Sequence, residues 1–374
     1  MIDTQDMIDE FCDLVRIDSP SLEEAEVNAF IRERLAEMGI ESRDDGAGER
    51  VGGNAGNIIA HVPGTVDAPT VMLNAHTDTV EPGRGIKPQI EGTIIRSDGT
   101  TVLGGDDKCG VAIVLATLRE LLAGDLPRPP LDVVFTVYEE GGLHGAQQLD
   151  YDDISAETGY VLDGGRTMGV ITNAAPSAFA LNWQVKGVAA HAGVCPERGV
   201  NSIQAAAEAI AAIPLGRLDD ETTANIGIIE GGTATNIVPE LTVVRGEARS
   251  HDEEKLQAQV DLMVAAFEAA AEASDAQVEA DVRRSYTSFC IEREAAVLDY
   301  AWRAAENLGF SPRMETGGGG SDANIFNERG IASIIVATGP AEVHTVNEWV
   351  DGERMAESAR WIVETLGLIA AEAS

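Results

Sequence analysis

Lysine is scarce in this sequence and occurs only at positions 87, 108, 186 and 255 of 374. The 26 basic residues face 63 acidic ones, which gives a formal net charge of −37. No basic patch is available to replace the counterions of a phosphate backbone, so nucleic acid is not an expected partner. The acids are spread over the whole chain and form no tail, which is typical of a surface kept in solution at high salt. We therefore expect a halophilic protein.

Cysteine and long apolar runs are also rare. Four cysteines lie singly, without a Cys-x-x-Cys pair, which argues against a disulfide framework and for a reducing compartment. No run reaches the roughly 18 apolar residues of a membrane span. The first residues are acidic, where a secretory signal would be basic and then apolar. We expect a soluble, cytoplasmic protein with no membrane partner.

The chain alternates between helix and strand patterns over most of its length. Strands are predicted at Asn57–Val62, Val71–Ala75, Leu131–Tyr138 and Gly159–Leu162, with a helix over Gly110–Leu122 among them. Such alternation is typical of an α/β sheet with helices on its faces. Ser21 and Glu24 have the spacing of a capping box that opens a helix ending at Met38.

The pattern changes near Pro176. The segment FALNWQVK alternates apolar and polar residues, as a half-exposed antiparallel strand does. The order strand, helix, strand, strand, helix, strand then indicates a small α+β sandwich, and α/β style returns after Ala295. We predict a discontinuous domain over 1–175 and 286–374, interrupted by an inserted domain over 176–285.

His76-Thr77-Asp78 closes an apolar strand and is the most informative motif. A histidine that binds a metal commonly donates its other ring N–H to a carboxylate, which fixes the tautomer. Taken alone, this pair also fits an ordinary surface turn.

Further acidic or imidazole groups follow other predicted strands. In an open α/β sheet they would project together beyond the carboxyl ends of the strands, where imidazole and carboxylate ligands suit Zn²⁺, or alternatively Co²⁺ or Mn²⁺. Each has a simpler structural interpretation, such as a helix cap or a solvent-facing strand end. Together they predict a centre for two divalent metal ions, and the groups are Asp106-Asp107, Glu139-Glu140, Asp163 and His344.

The ordered motifs AHTDTV, LGGDDKCG, YEEGG, VLDGG, AAHAG, GGTATNIVPE, GEARSHD and GGGGSDAN cover nearly the whole chain. In this order they resemble the co-catalytic zinc metallopeptidases, specifically the peptidase T-like branch. The resemblance implies a zinc-exopeptidase-like mixed sheet flanked by helices, with an inserted α+β lid and dimerisation domain. It also implies hydrolysis of short peptides, an aminopeptidase or tripeptidase activity, and a homodimer formed through the inserted domain.

The resemblance also implies a role for each motif residue. One metal would be held by His76, Asp106 and Asp163, and the other by Asp106, Glu140 and His344, so that Asp106 bridges them. Asp78 would orient His76. Glu139 would be the general base toward the hydroxide shared by the two metals.

Residues in and beside the inserted domain are implied to contact the substrate. His191 matches the histidine that stabilises the oxyanion, and Asn236 and Arg249 match positions that bind the carboxylate end. A guanidinium suits a carboxylate through paired hydrogen bonds, and the alternative for Arg249 in so acidic a protein is a structural ion pair. The run containing Gly319, with Ser321 capping a short helix, offers backbone N–H groups to the substrate, or is a plain turn.

Two other functions fit the same sequence. An amidohydrolase that removes acyl groups from amino acids would use the same chemistry on a substrate whose amine is blocked. A catalytically silent peptide-binding protein on the same fold is a third hypothesis. The presence of every expected ligand, with Asp78 and Glu139, favours an enzyme.

Overall fold

The computed structural model describes residues 2–373, which fall into two compact units. The first unit contains residues 2–174, 289–317 and 321–373. The second contains residues 175–288 and 318–320. The catalytic role of the first and the lid and dimerisation role of the second stay predictions at this point.

The first segment of the first unit alternates helices and strands. Its helices are α1 (Thr4–Val15), α2 (Ala25–Glu37), α3 (Ala47–Val51), α4 (Gly105–Ala123) and α5 (His144–Gln147). Its strands are β1 (Ser42–Asp44), β2 (Ile58–Val62), β3 (Val71–His76), β4 (Gln89–Glu91), β5 (Ile94–Arg96), β6 (Leu131–Thr136), β7 (Thr158–Gly164) and β8 (Val170–Ala175).

The second unit follows, and the chain then returns to the first. The strands of the second unit are β9 (Ser177–Lys186), β10 (Ala190–His191), β11 (Gly216–Arg217), β12 (Thr222–Gly231), β13 (Ile237–Val238), β14 (Leu241–Ser250) and β15 (Gln277–Tyr286). Its helices are α6 (Ser202–Ala212) and α7 (Glu253–Ala273). After the return come β16 (Phe289–Cys290), α8 (Ala296–Asn307), β17 (Arg313–Thr316), α9 (Asp322–Glu328), β18 (Ala332–Ala337), β19 (Pro340–Ala341), β20 (Trp349–Asp351) and α10 (Gly352–Ala373).

A nine-stranded mixed sheet forms the centre of the first unit. Its order is β1-β2-β6-β3-β7-β18-β8-β16, with β17 paired to β8. The neighbours β6, β3, β7 and β18 run parallel, whereas β2 is antiparallel to β6 and β8 is antiparallel to β18. Strand β17 runs parallel to β8. Every residue of β3 and β6 is buried, as expected for parallel strands covered on both faces. The predicted mixed sheet is confirmed.

Helices cover this sheet and complete its core. Helix α4 packs on β3 and β7, and α10 packs against α4 and α8. Helix α1 begins after Asp3, whose carboxylate accepts hydrogen bonds from the backbone N–H groups of Gln5 and Asp6. Its apolar face, including Phe11 and Leu14, is buried in the same core.

The second unit is built on a five-stranded antiparallel sheet in the order β11-β12-β14-β9-β15. Helices α6 and α7 pack on each other and against this sheet. The alternation in β9 turns Leu181, Trp183 and Val185 into the core, where the Trp183 ring stacks on Phe267 at 4.3 Å between centroids. Within residues 2–373, no helix combines the length and apolar composition needed to cross a lipid bilayer.

Candidate metal centre

The carboxyl ends of the parallel strands meet at one edge of the large sheet. His76 is the last residue of β3, and Asp163 lies next to the end of β7. The Glu139-Glu140 pair follows β6, and the loop carrying His344 follows β18 and β19. Because these strands are parallel, their ends deliver the side chains to one place, as the sequence predicted.

The Asp106 carboxylate lies between two imidazoles. Its Oδ1 is 3.0 Å from His76 Nε2, and its Oδ2 is 3.2 Å from His344 Nε2. Asp106 occupies the entry to α4, where its backbone angles (φ −84°, ψ 105°) are not helical. One carboxylate therefore presents its two oxygens in two directions, which is the arrangement of a ligand shared by two metal ions.

The remaining predicted ligands flank this carboxylate on opposite sides. Glu140 Oε1 is 3.0 Å from His344 Nε2, and Asp163 Oδ1 is 4.0 Å from His76 Nε2. The structure thus brings all five predicted ligands into one cluster.

Asp107 also lies within reach of this cluster. Candidate ligand atoms of His76, Asp107 and Asp163 lie within 4.8 Å of one another, and so do those of His76, Asp106 and Glu140. The Asp107 oxygens, however, accept hydrogen bonds from the backbone N–H groups of His76 and Gly110, each at 3.1 Å. Because both oxygens already stabilise main chain, we assign Asp107 to the support of the site.

Asp78 connects the two strand ends. Asp78 is fully buried. His76 Nδ1 lies 3.0 Å from the backbone carbonyl oxygen of Asp78 and 3.3 Å from its carboxylate Oδ1. The same carboxylate accepts the backbone N–H groups of Glu139 at 2.9 Å and Glu140 at 3.2 Å. Asp78 therefore fixes both the His76 ring and the turn that carries the acidic pair.

Negative charge exceeds positive charge in this pocket. Burial, with neighbouring carboxylates, raises the pKa values of Asp163 and Glu139 well above their usual range. Burial opposes the charged form of His76, but contacts with Asp106 and Asp78 outweigh it and raise its pKa. Hydrogen bonds to Asp106 and Glu140 raise the pKa of His344 to about 10. Such an excess of buried carboxylates is relieved by bound cations, and the imidazole and carboxylate donors fit two divalent metal ions.

Ser21 and Glu24 belong to the wall of this site, and their interpretation as a capping box was wrong. Ser21 Oγ donates to Asp78 Oδ2 at 2.6 Å. Glu24 is fully buried and accepts the backbone N–H groups of Leu22 and Tyr138, at 2.9 and 3.0 Å. Helix α2 begins at Ala25 without a side-chain cap. Ser21 and Glu24 thus bond residues far away in the sequence, Asp78 and Tyr138, and local spacing cannot reveal such contacts.

Two of the predicted substrate contacts lie on a short ribbon of the second unit. His191 in β10 is opposite Ile237 in β13, and the Asn236 carbonyl accepts the N–H of Ala192 at 3.0 Å. His191 and Asn236 are exposed. The ribbon therefore places the main chains of the two residues close together, with both residues exposed.

Arg249 and Gly319 also lie together in the second unit. A Cβ on Gly319 would stand 3.5 Å from an Arg249 guanidinium nitrogen. Arg249 pairs with Glu247 at 2.8 Å, while its Nε is buried without a hydrogen-bond partner among residues 2–373. Ser321, in the first unit, caps α9 through Ala323 N–H and is buried. Its hydroxyl thus has a structural use, and a role in substrate binding stays a prediction.

Two family models match separate parts of the chain. Residues 57–163 match peptidase family M28, and residues 175–275 match a peptidase dimerisation domain. The first range contains all the predicted ligands except His344, and the second contains His191, Asn236 and Arg249.

Similarity to individual proteins extends over the full chain. The crystal structure of aminopeptidase PepT from Bacillus cereus is 41% identical, with a TM-score of 0.87 and 99% of each chain covered. A tripeptidase structure from Staphylococcus aureus is 36% identical, with a TM-score of 0.92, and covers 99% of this chain and 100% of that one. The uncharacterized protein YqjE of Bacillus subtilis is 39% identical over 363 residues, 97% of this chain and 98% of that protein.

Proposed function

Because the chain belongs to the peptidase T-like branch of the metallopeptidases, we propose that it releases the N-terminal residue from short peptides, above all tripeptides. The chain is a metal-dependent, aminopeptidase-like peptidase. The proposal adds two points to this activity, the length of the peptide substrate and the role of each site residue. Its main support is the Asp106 carboxylate held between two imidazoles.

The metal ligands are proposed as two sets that share Asp106. His76 and Asp163 complete one set, and Glu140 and His344 complete the other. When bound, two divalent cations supply Lewis acidity, which acidifies water and polarises a peptide carbonyl. We propose Zn²⁺ as the metal, because it suits mixed imidazole and carboxylate ligands.

Glu139 is the proposed general base. Its backbone is fixed by Asp78, and its carboxylate is buried within electrostatic range of His76 and Asp163. From this position the carboxylate accepts a proton from the attacking water and then donates it to the leaving amine. Proton transfer of this kind typically contributes about 10²- to 10⁴-fold to a rate.

Substrate contacts are proposed for the second unit. Arg249, beside Gly319, would bind the substrate carboxylate through its guanidinium, and Asn236 would contribute its amide. His191 would stabilise the developing negative charge on the carbonyl oxygen. The Arg249 side chain is 30% exposed and one of its guanidinium nitrogens lies beside Gly319, which supports a role in binding an external acceptor.

We also propose an oligomeric state and a cellular environment for the protein. The dimerisation-domain match over 175–275 supports oligomerisation, and we propose a homodimer formed by the second unit. The net charge of −37 supports assays at high salt, and we retain a cytoplasmic location and a halophilic host as predictions.

The test compares a free tripeptide with its N-acetylated twin, in molar KCl with Zn²⁺ or Co²⁺ added and a chelator control. We expect cleavage of the free peptide alone and its loss with chelator. Cleavage of the acetylated twin alone would assign the protein as a deacylase, and metal binding without cleavage of either would favour a binding protein.

A matched pair of variants tests the roles of the adjacent glutamates. Glu139→Gln should retain both metals while turnover falls about 10²- to 10⁴-fold. Glu140→Gln should lower metal content as well as turnover. Full turnover by the Glu139 variant would remove Glu139 from the mechanism.

A further inference from the structure

Glu348 lies at the base of the loop that carries His344. Strands β19 and β20 pair as a hairpin, with Ala341 opposite Trp349, and the loop 342–348 connects them. His344 is in this loop at a positive φ of 61° and is half exposed, whereas Glu348 is only 2% exposed. The same hairpin therefore carries one exposed imidazole and one buried carboxylate.

The Glu348 carboxylate accepts three backbone N–H groups from the segment that leads into α4. Its Oε2 is 2.7 Å from Leu103 N and 2.8 Å from Gly104 N, and its Oε1 is 3.0 Å from Asp106 N. Charge-assisted hydrogen bonds of this kind are among the stronger ones in proteins. All three stabilise the non-helical segment in which Asp106 turns toward the two imidazoles.

The packing around this contact leaves little room for adjustment. A Cβ on Gly105 would stand 3.0 Å from Glu348 Oε1 and 2.6 Å from Val350 Cγ2. The main chain of residues 103–106 is therefore pressed directly against the hairpin. A displacement of the Glu348 carboxylate would displace Asp106 with it, because the carboxylate accepts the Asp106 backbone N–H directly.

We propose that Glu348 is a positioning residue of the metal centre, which holds the Asp106 main chain where one carboxylate reaches both imidazoles. Through the hairpin it also ties Asp106 to His344, so the two metal positions depend on a single buried carboxylate. The inference rests on the proposed function of the centre and adds a residue that binds no metal itself.

Glu348→Gln tests the proposal by substituting an amide of nearly the same shape. Both carboxylate oxygens accept backbone N–H groups, so in either orientation the amide NH₂ faces a donor, and the hydrogen bonds to that oxygen are lost. We expect the affinity of the chelator-treated protein for Zn²⁺ and for Co²⁺ to fall by about 10- to 100-fold at both positions. The absorption spectrum of the Co²⁺ form should change, because the ligand geometry changes.

The exposed Glu353, in the first turn of α10, provides the matched control. Glu353→Gln removes the same charge five residues away and should leave affinity and spectrum unchanged. If Glu348 served only folding, its variant would melt earlier without metal, but the folded fraction would keep the wild-type affinity and Co²⁺ spectrum. That result would overturn the proposal.

Glu348→Asp decides the matter if the glutamine variant does not fold. It keeps the buried charge but is shorter by one methylene, so it cannot reach all three N–H groups. Wild-type metal affinity in the aspartate variant would also overturn the proposal. Fewer than two metals in the wild-type protein would instead reject the proposed function, so the two failures are distinguishable.

Discussion

The two imidazoles of the metal centre lie in contrasting surroundings. His76 ends a buried strand, is 2% exposed and has the Asp78 carboxylate beside its ring. His344 is 50% exposed and sits in a hairpin loop at positive φ. Both contact the same carboxylate, Asp106.

The contrast shows how a centre for two metals can combine a part fixed by the core with a part supplied by a loop. The His76 side is positioned by the sheet and by Asp78. The His344 side lies in a loop, and Glu348 connects the base of that loop to the Asp106 main chain. The two positions should therefore respond differently to substitution.

The largest effect is expected from His76→Ala. The change leaves the buried Asp78 carboxylate without its imidazole partner and leaves Asp106 with His344 alone. Removal of one member of a buried ion pair typically costs about 3–5 kcal/mol. We expect this loss in the free energy of unfolding of the chelator-treated protein, measured in denaturant, and weaker binding of both metals. A variant as stable as wild type would show that the buried side is not preformed.

A smaller effect on folding is expected from His344→Ala. Exposed ion pairs contribute about 0–1 kcal/mol, so the free energy of unfolding of the chelator-treated protein should change little. Metal content, measured by elemental analysis after dialysis, should fall from two ions per chain to one. Loss of both ions would mean that the two positions bind as a unit, and the comparison between them would be wrong.

Asp78→Asn tests the outer support of the buried side. Asparagine keeps the shape, but its NH₂ must face a backbone N–H donor of Glu139 or Glu140. We expect metal affinity to fall by about 10- to 100-fold, measured by competition with a chromophoric chelator. Ser21→Ala, which removes one hydrogen bond to the same carboxylate, is the paired control and should have a smaller effect. Equal losses in the two variants would contradict the central position of Asp78.

The smallest effect is expected at His61, outside the metal centre. Burial opposes its charged form, but the hydrogen bonds and charges of Asp132 and Asp153 together outweigh it and raise the pKa of His61. A raised pKa means that the folded protein binds the proton more tightly than the unfolded chain. The contribution of His61 to the free energy of unfolding is therefore fully present below the unfolded pKa of about 6.5, and it is lost as pH rises through the folded pKa.

The measurement is the free energy of unfolding of His61→Ala against pH. The variant should be less stable than wild type by under about 1 kcal/mol at pH 5.5, and equal to it at pH 9. Metal affinity should not change. A difference that grows with pH would contradict the assignment.

Much of this centre was predictable because its residues end buried strands. The fully buried β3 and β6 are visible as apolar runs, and parallel strands deliver His76, Glu139 and Asp163 to one edge. His344 was predicted because its short loop follows another strand, and the resemblance then implied its role as a ligand.

The supporting contacts could not be predicted from local pattern. Glu348 contacts residues more than 240 positions away in the sequence, and Ser21 contacts Asp78 across 57. Local spacing favoured a helix cap for Ser21 and Glu24. Instead, Ser21 bonds the buried Asp78 carboxylate and Glu24 accepts two backbone N–H groups, because buried polar groups must be hydrogen-bonded. Tertiary contacts thus decided the use of these side chains.

The most direct test is a crystal structure of the protein soaked in Zn²⁺, with anomalous diffraction recorded at the zinc edge. The account predicts two peaks per chain, one beside His76 and Asp163 and one beside Glu140 and His344, both in contact with Asp106. A single peak, or a peak bound by Asp107 in place of Asp106, would contradict it.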